Sequence, residues 1–126
     1  MVYTNLASLI LRLSFGGMML THGWGKLNRL LSGDYSFADP VGLGETPTLI
    51  AAVLGEFVFP IFLIVGFKTR LSTILPGLTM LVAALVVHAD DPWGKKEFPL
   101  LYFFGFAAIF LLGSGKYSLD WKLKKV

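Results

Sequence analysis

Cysteine is absent from the 126 residues, which excludes disulfide staples, thiolate metal sites and dithiol redox relays in any compartment. Charge is scarce as well. Charged side chains make up 15% of the chain and apolar ones 55%, whereas an ordinary soluble domain carries about 25% charge. The net charge of +3 is scattered or confined to the ends, so no basic stripe exists and nucleic acid is excluded as a partner. Imidazole chemistry is limited to two positions, His22 and His88. At roughly 100 to 150 residues per domain, residues 1–126 form a single domain.

Apolar sequence fills most of what remains. Leu6 to Leu27 is interrupted by Arg12, His22 and Lys26, Thr48 to Phe67 carries one charge, Glu56, and Leu71 to Val87 and Phe98 to Gly113 carry none. A helix crosses a hydrocarbon core of about 30 Å with about 20 residues, about 17 being the lower end. The first two runs meet that length, the third is at the minimum, and the fourth reaches it by including Glu97 or Ser114. The expected fold is all-α: an integral-membrane antiparallel four-helix bundle with helices over about 6–27, 48–67, 71–88 and 98–113. The first run lacks a basic leader and an A-x-A cleavage site and holds Arg12 inside it, so it is read as a permanent helix. Pro47 behind Thr46, and Pro99 after Glu97, read as the start signals of the second and fourth helices. Pro60 falls inside the second, where it deprives the Glu56 carbonyl of its helical partner.

The connections set the topology. Lys68 to Arg70 is a tight turn that forces an antiparallel hairpin, His88 to Glu97 is a polar loop, and residues 28–47 form a long glycine- and proline-containing loop that reads as a lid over one mouth of the bundle. Four spans put both termini and the Lys68 turn on one side. That side collects Lys68, Arg70, Lys116, Lys122, Lys124 and Lys125, against Arg29, Lys95 and Lys96, with Lys26 at the margin of the other. The excess predicts a multi-pass protein of the bacterial inner membrane with both termini cytoplasmic. Trp24, Trp93 and Trp121 lie near helix ends, as an interfacial aromatic belt requires.

Ionisable side chains within a span are costly and mark either a site or an internal ion pair. On the first helix, Arg12, His22 and Lys26 fall within about 80° of one another on the helical wheel, and Gly16, Met19 and Gly23 share that face. A stripe of that kind faces protein, and its glycines admit a close neighbouring backbone. The expected helices deliver His22, Glu56, His88 and Glu97, with Lys26 alongside, to the outer half of the bundle. Three uses of such a cluster compete. It is a proton-handling or quinol-type site, with His22, Glu56, His88 and Glu97 moving protons and Arg12 or Lys26 binding the substrate. Alternatively, His22, Glu56, His88 and Glu97 are metal ligands, although no pair has the His-x-x-x-His spacing. In the third, Arg12 or Lys26 merely neutralises Glu56 and the histidines cap helix ends.

The ordered set of Arg12 with Gly16 and Gly17, His22-Gly23-x-x-Lys26, Gly55-Glu56, Gly66 before Lys68-Thr69-Arg70, then His88, Glu97 and Gly113-x-Gly115-x-x-Ser118-Leu119-Asp120 resembles the DoxX family. The resemblance runs along nearly the whole chain. It implies a small bacterial inner-membrane four-helix protein, often described as an oxidoreductase, related to the DoxD subunit of thiosulfate:quinone oxidoreductase and to membrane partners in thiol-stress complexes. The family label fixes no cofactor; a quinone is the cofactor or substrate that the polar site allows, and small-residue helix faces permit a homo-oligomer or a place in a larger membrane complex. A non-catalytic scaffold is the rival reading. Arg12, His22, Lys26, Glu56, His88 and Glu97 are the residues it carries over, while Arg70 and Asp120 are expected to fix topology or fold.

Overall fold

A computed structural model describes residues 2–124. Regular structure among them is entirely helical: α1 (Val2–Ser32), α2 (Glu45–Val65), α3 (Thr69–Val87), α4 (Trp93–Leu112) and a short α5 (Leu119–Lys122). Lys125, counted above with the cations beside the termini, lies outside the described residues. α1 packs against α2 and α4, and α3 packs against the same two. Met19, Leu63, Met80, Phe106 and Ile109 form the buried centre, with Phe15 and Tyr102 against it. Two helices, α2 and α3, are long and apolar enough to cross a membrane. α1 is interrupted by Arg12, His22, Lys26 and Arg29, and α4 opens with Lys95, Lys96 and Glu97.

The buried residues of α1 are Ser8, Arg12, Gly16, Met19 and Gly23, a spacing of four, four, three and four that keeps one face of a 3.6-residue helix against its neighbours. Glycine is required on this face by contact. A Cβ at Gly23 would overlap the Glu56 carbonyl oxygen, and one at Gly16 would stand 3.1 Å from the Pro60 carbonyl oxygen. The backbones of α1 and α2 therefore touch where the polar residues sit.

Pro60 acts as expected from its missing amide. The helix widens into a π turn over Leu54–Val58, the Phe59 N–H donates to the Leu54 carbonyl, and Glu56 sits within the widened turn. A second π turn, Ala83–Val87, ends α3, and the His88 N–H donates to the Ala83 carbonyl at 3.0 Å. Gly66 closes α2 in the left-handed conformation (φ +74°), with the Phe67 N–H donating back to the Phe62 carbonyl at 2.9 Å.

Several helix ends differ from the sequence reading. α2 starts at Glu45 behind Gly44, so Pro47 lies within its first turn and Thr46 is not its cap. α4 starts at Trp93 behind Pro92, which places Glu97 in its second turn and Pro99 inside it. Pro47 is tolerated because the first amides of a helix have no intrahelical acceptor, whereas Pro99 lies further in and deprives the Lys95 carbonyl of its helical partner. The long loop shrinks to residues 33–44 because α1 runs on to Ser32.

The chain ends are stitched to the α2–α3 turn. Asp120 accepts hydrogen bonds from the Lys68 N–H at 2.8 Å and from the Thr69 N–H and hydroxyl at 2.9 Å each, capping α3 from a distant part of the sequence. Arg70 Nε donates to the Phe110 carbonyl at 2.9 Å near the end of α4. Arg70 and Asp120 thus serve the fold.

Candidate functional site

Lys26 and Glu56 form the central polar contact. Lys26 Nζ stands 2.6 Å from both Glu56 carboxylate oxygens, reached from α1 across the close glycine-mediated packing with α2. Glu56 is 3% exposed, while the Lys26 side chain is 30% exposed. The carboxylate therefore depends on its partner, and the ammonium retains some contact with the outside.

This pair lies in the wall of a cavity of about 430 Å³. Ala51, Ala52, Leu75, Met80 and Val82 contribute an apolar lining, and Thr48, Thr79 and His88 add polar groups. The loop after α1 closes one side with Phe37, Pro40, Val41 and Leu43, in the position expected of a lid. Phe37 lies under both Lys26 and Arg29, at 5.8 and 5.6 Å from its ring centre. Asp39 accepts from the Gly44 N–H at 3.0 Å, fixing the loop where it enters α2. Leu43, Leu78 and Val87 line the cavity and are exposed on the outer surface, so the space opens along an apolar rim.

His88 sits at the cavity edge immediately after the second π turn. Its Nδ1 is 2.7 Å from Asp91 Oδ2, and this hydrogen bond holds the Asp91 carboxyl below its usual range, with Lys95 and Lys96 adding to the effect. Asp34 in the lid is lowered too, first by the hydroxyl and amide of Ser36 and then by Arg29.

The structure thus brings Lys26, Glu56 and His88 to one cavity, and it separates the other sequence candidates from them. His22 is exposed and stacks edge-on against Tyr102 with ring centres 5.5 Å apart. Glu97 is exposed on α4, carried away by the early start of that helix. Neither lines the cavity. Among the described residues no group of three His, Asp or Glu side chains is placed to hold a metal ion.

Arg12 corrects the sequence reading most clearly. It does not reach Glu56. It is fully buried and its guanidinium donates to the carbonyls of Leu63 at 3.2 Å, Ile64 at 3.3 Å and Tyr117. Those carbonyls belong to the last turn of α2 and to the segment before α5, so Arg12 ties α1 to the opposite end of the molecule. Its Nε is buried without a hydrogen-bond partner among the described residues. Gly66 is part of the same arrangement, since a Cβ there would overlap Ser118 and crowd the Arg12 guanidinium. Thr48, Thr79 and Phe37 are cavity residues that the sequence reading missed, and only the position of Phe37 in the lid loop hinted at its role.

The DoxX family model matches residues 7–89, a span that holds Arg12, Lys26, Glu56 and His88 and stops short of Glu97 and Asp120. A protein of Haemophilus influenzae described as uncharacterized is 34% identical over 79 residues, which cover 60% of this chain and 52% of the relative. The matched part thus spans about half the length of that relative. No solved structure matches the chain.

Proposed function

The chain belongs to the DoxX family, and on that premise we propose that it is an integral-membrane four-helix bundle whose Lys26–Glu56 cavity takes the head of a quinone-type molecule. In this reading it is a quinone-linked oxidoreductase or the membrane subunit of one. α1 and α4 cross the bilayer beside α2 and α3. The cations Lys68, Arg70, Lys116, Lys122 and Lys124 on the side of the termini, against Arg29, Lys95 and Lys96 with Lys26 at the margin of the other, support cytoplasmic termini in a bacterial inner membrane. The lid and the Lys26–Glu56 cavity then face the outer side.

One observation carries the reading: an ion pair with a buried carboxylate stands in the wall of a mainly apolar cavity whose rim is itself apolar. Ionisable groups at membrane depth are retained where they bind or move something, and a pocket of mainly apolar lining with a few convergent polar groups suits a small amphipathic ligand. The widened turn that carries Glu56 adds support, because π turns recur at functional sites.

A quinone-type molecule supplies a reversible two-electron, two-proton couple when bound. The chain's own residues answer the proton half of that chemistry. Lys26 Nζ donates to an acceptor oxygen of the ligand, Glu56 takes or yields a proton beside it, and His88 with Asp91 links the cavity mouth to water. The lid excludes bulk water from the pair. With no thiol in the sequence, the electrons come from a partner protein, a metal or a second bound molecule.

The direct Lys26–Glu56 contact favours a second reading, a scaffold or accessory subunit whose ion pair serves folding. Binding of a short-chain ubiquinone analogue to the purified chain in detergent, followed by fluorescence quenching, separates the two. The first reading expects saturable binding that Glu56→Gln weakens about tenfold, the scale of one charged hydrogen bond. Equal affinity of wild type and Glu56→Gln leaves the scaffold reading in its place.

A further inference from the structure

The opposite end of the molecule carries a second cavity, of about 630 Å³. Separate pieces of chain build it: Asn5 at the start of α1, the turn from Lys68 to Leu71, the segment from Leu112 to Lys116, and Trp121. Its charge is unbalanced. Lys68, Arg70 and Lys116 line it together with one acid, Asp120.

Asp120 is already engaged. It is 4% exposed and its carboxylate is occupied by the Lys68 and Thr69 amides and the Thr69 hydroxyl. Among the described residues none of the three cations forms an ion pair, and all three are exposed. Two of them rest on aromatic rings, Lys68 at 5.7 Å from the centre of Phe67 and Lys116 at 5.4 Å from that of Trp121. Arg70 is oriented by its Nε bond to the Phe110 carbonyl, which leaves its terminal nitrogens free to meet a ligand. Gly113 keeps that edge open, since a Cβ there would stand 3.0 Å from Arg70 Nη2. Two exposed apolar side chains stand beside these cations at the rim, Leu71 at 61% and Trp121 at 47% exposure.

Cations gathered around a cavity with no free counter-charge call for an anion, and Arg with Lys suits phosphate oxygens. Leu71 and the Trp121 indole beside them call for an anion that adjoins hydrocarbon at a membrane interface. We infer that this cavity binds the phosphate of an anionic phospholipid headgroup through Lys68, Arg70 and Lys116, with the acyl chains lying along the exposed face of α3 at Leu71. The inference rests on the membrane-spanning part of the reading above and does not depend on the quinone-type ligand.

The test uses the full chain in vesicles with Trp24→Phe and Trp93→Phe, so that Trp121 is the remaining indole of three. Brominated phosphatidylglycerol is compared with brominated phosphatidylcholine as a quencher. The anionic lipid is expected to quench at a lower mole fraction, by roughly fivefold for each cation engaged. Lys68→Asn with Lys116→Gln should remove about two such factors, and Asn suits the positive φ of +46° at position 68. Lys122→Gln with Lys124→Gln should leave the preference in place. A preference that is absent in wild type, that survives the first pair of changes, or that is lost equally with the second pair overturns the site. Inorganic phosphate shifting Trp121 fluorescence in detergent without any lipid preference reassigns the anion to a soluble source and overturns the lipid assignment. Equal quenching by both lipids contradicts this site alone, whereas no quenching by either contradicts the membrane reading beneath it.

Discussion

Glu56 is almost fully enclosed while Lys26 is partly open, so loss of either partner has a different consequence. Lys26→Met strands a buried carboxylate and is expected to cost about 3 kcal/mol, the lower end for breaking a buried pair. Glu56→Gln leaves an ammonium that can turn toward the exposed side, and its cost should be about 1 kcal/mol. Denaturant unfolding of the two variants in mild detergent checks the order, and a greater loss for Glu56→Gln would refute the asymmetry. The glycines of α1 give a sharper contrast. Gly23→Ala drives a Cβ into the Glu56 carbonyl, whereas nothing lies within 4 Å of a Cβ at Gly25. The first change should destabilise by about 3 kcal/mol and the second by less than about 0.5 kcal/mol, read as the shift between their unfolding midpoints. The stripe itself was legible, because Arg12, Gly16, Met19 and Gly23 recur at helical spacing. His22 was misplaced by the same periodicity. It lies one residue from Gly23, about 100° around the helix, and ends on the flank against Tyr102. The partners of Arg12 were invisible because they are backbone carbonyls, which residue identity does not announce.

At the scale of elements, two helices depart from regular α geometry beside the cavity, and each widened turn contributes to its lining. The first departure follows from Pro60 and could be read from the sequence; nothing in the sequence signals the second, before His88. Starts were harder to read than interiors. The apolar runs of α2 and α3 define those helices, but Trp93 to Glu97 is polar enough to pass for loop, and its inclusion in α4 removes Glu97 from the cavity. The His88–Asp91 contact gives the mouth a pH dependence with a definite sign. Asp91 is held below its usual carboxylate range, so its contribution to order is present above the unfolded value of about 3.9 and is lost as pH falls through the lower folded value. Trp93, two residues further on and exposed, should report this as a fluorescence transition below about pH 4 that Asp91→Asn abolishes. A transition that persists in Asp91→Asn belongs to another group.

Across the whole molecule, polar function is divided between two ends. Lys26, Glu56 and His88 meet at one, under the loop between α1 and α2, and Arg12, Arg70 and Asp120 tie the helix ends together at the other. Composition pointed to membrane helices and the ordered motifs to the DoxX family, and the family match now rests on residues 7–89. What composition could not show was the division itself, since it arises from the register between α1 and α2 that Gly16 and Gly23 permit. The proposed function places a quinone-type molecule in the Lys26–Glu56 cavity. The most direct measurement is photolabelling of the membrane-embedded chain with an azido-quinone, followed by mapping of the labelled peptides. Label is expected only on Lys26 and its neighbours in α1 and on residues 37–43, 48–56 and 75–88, competed by unlabelled quinone and reduced in Glu56→Gln. Label concentrated on the outer faces of α1 and α4, or spread evenly along the helices and indifferent to competitor, would contradict it.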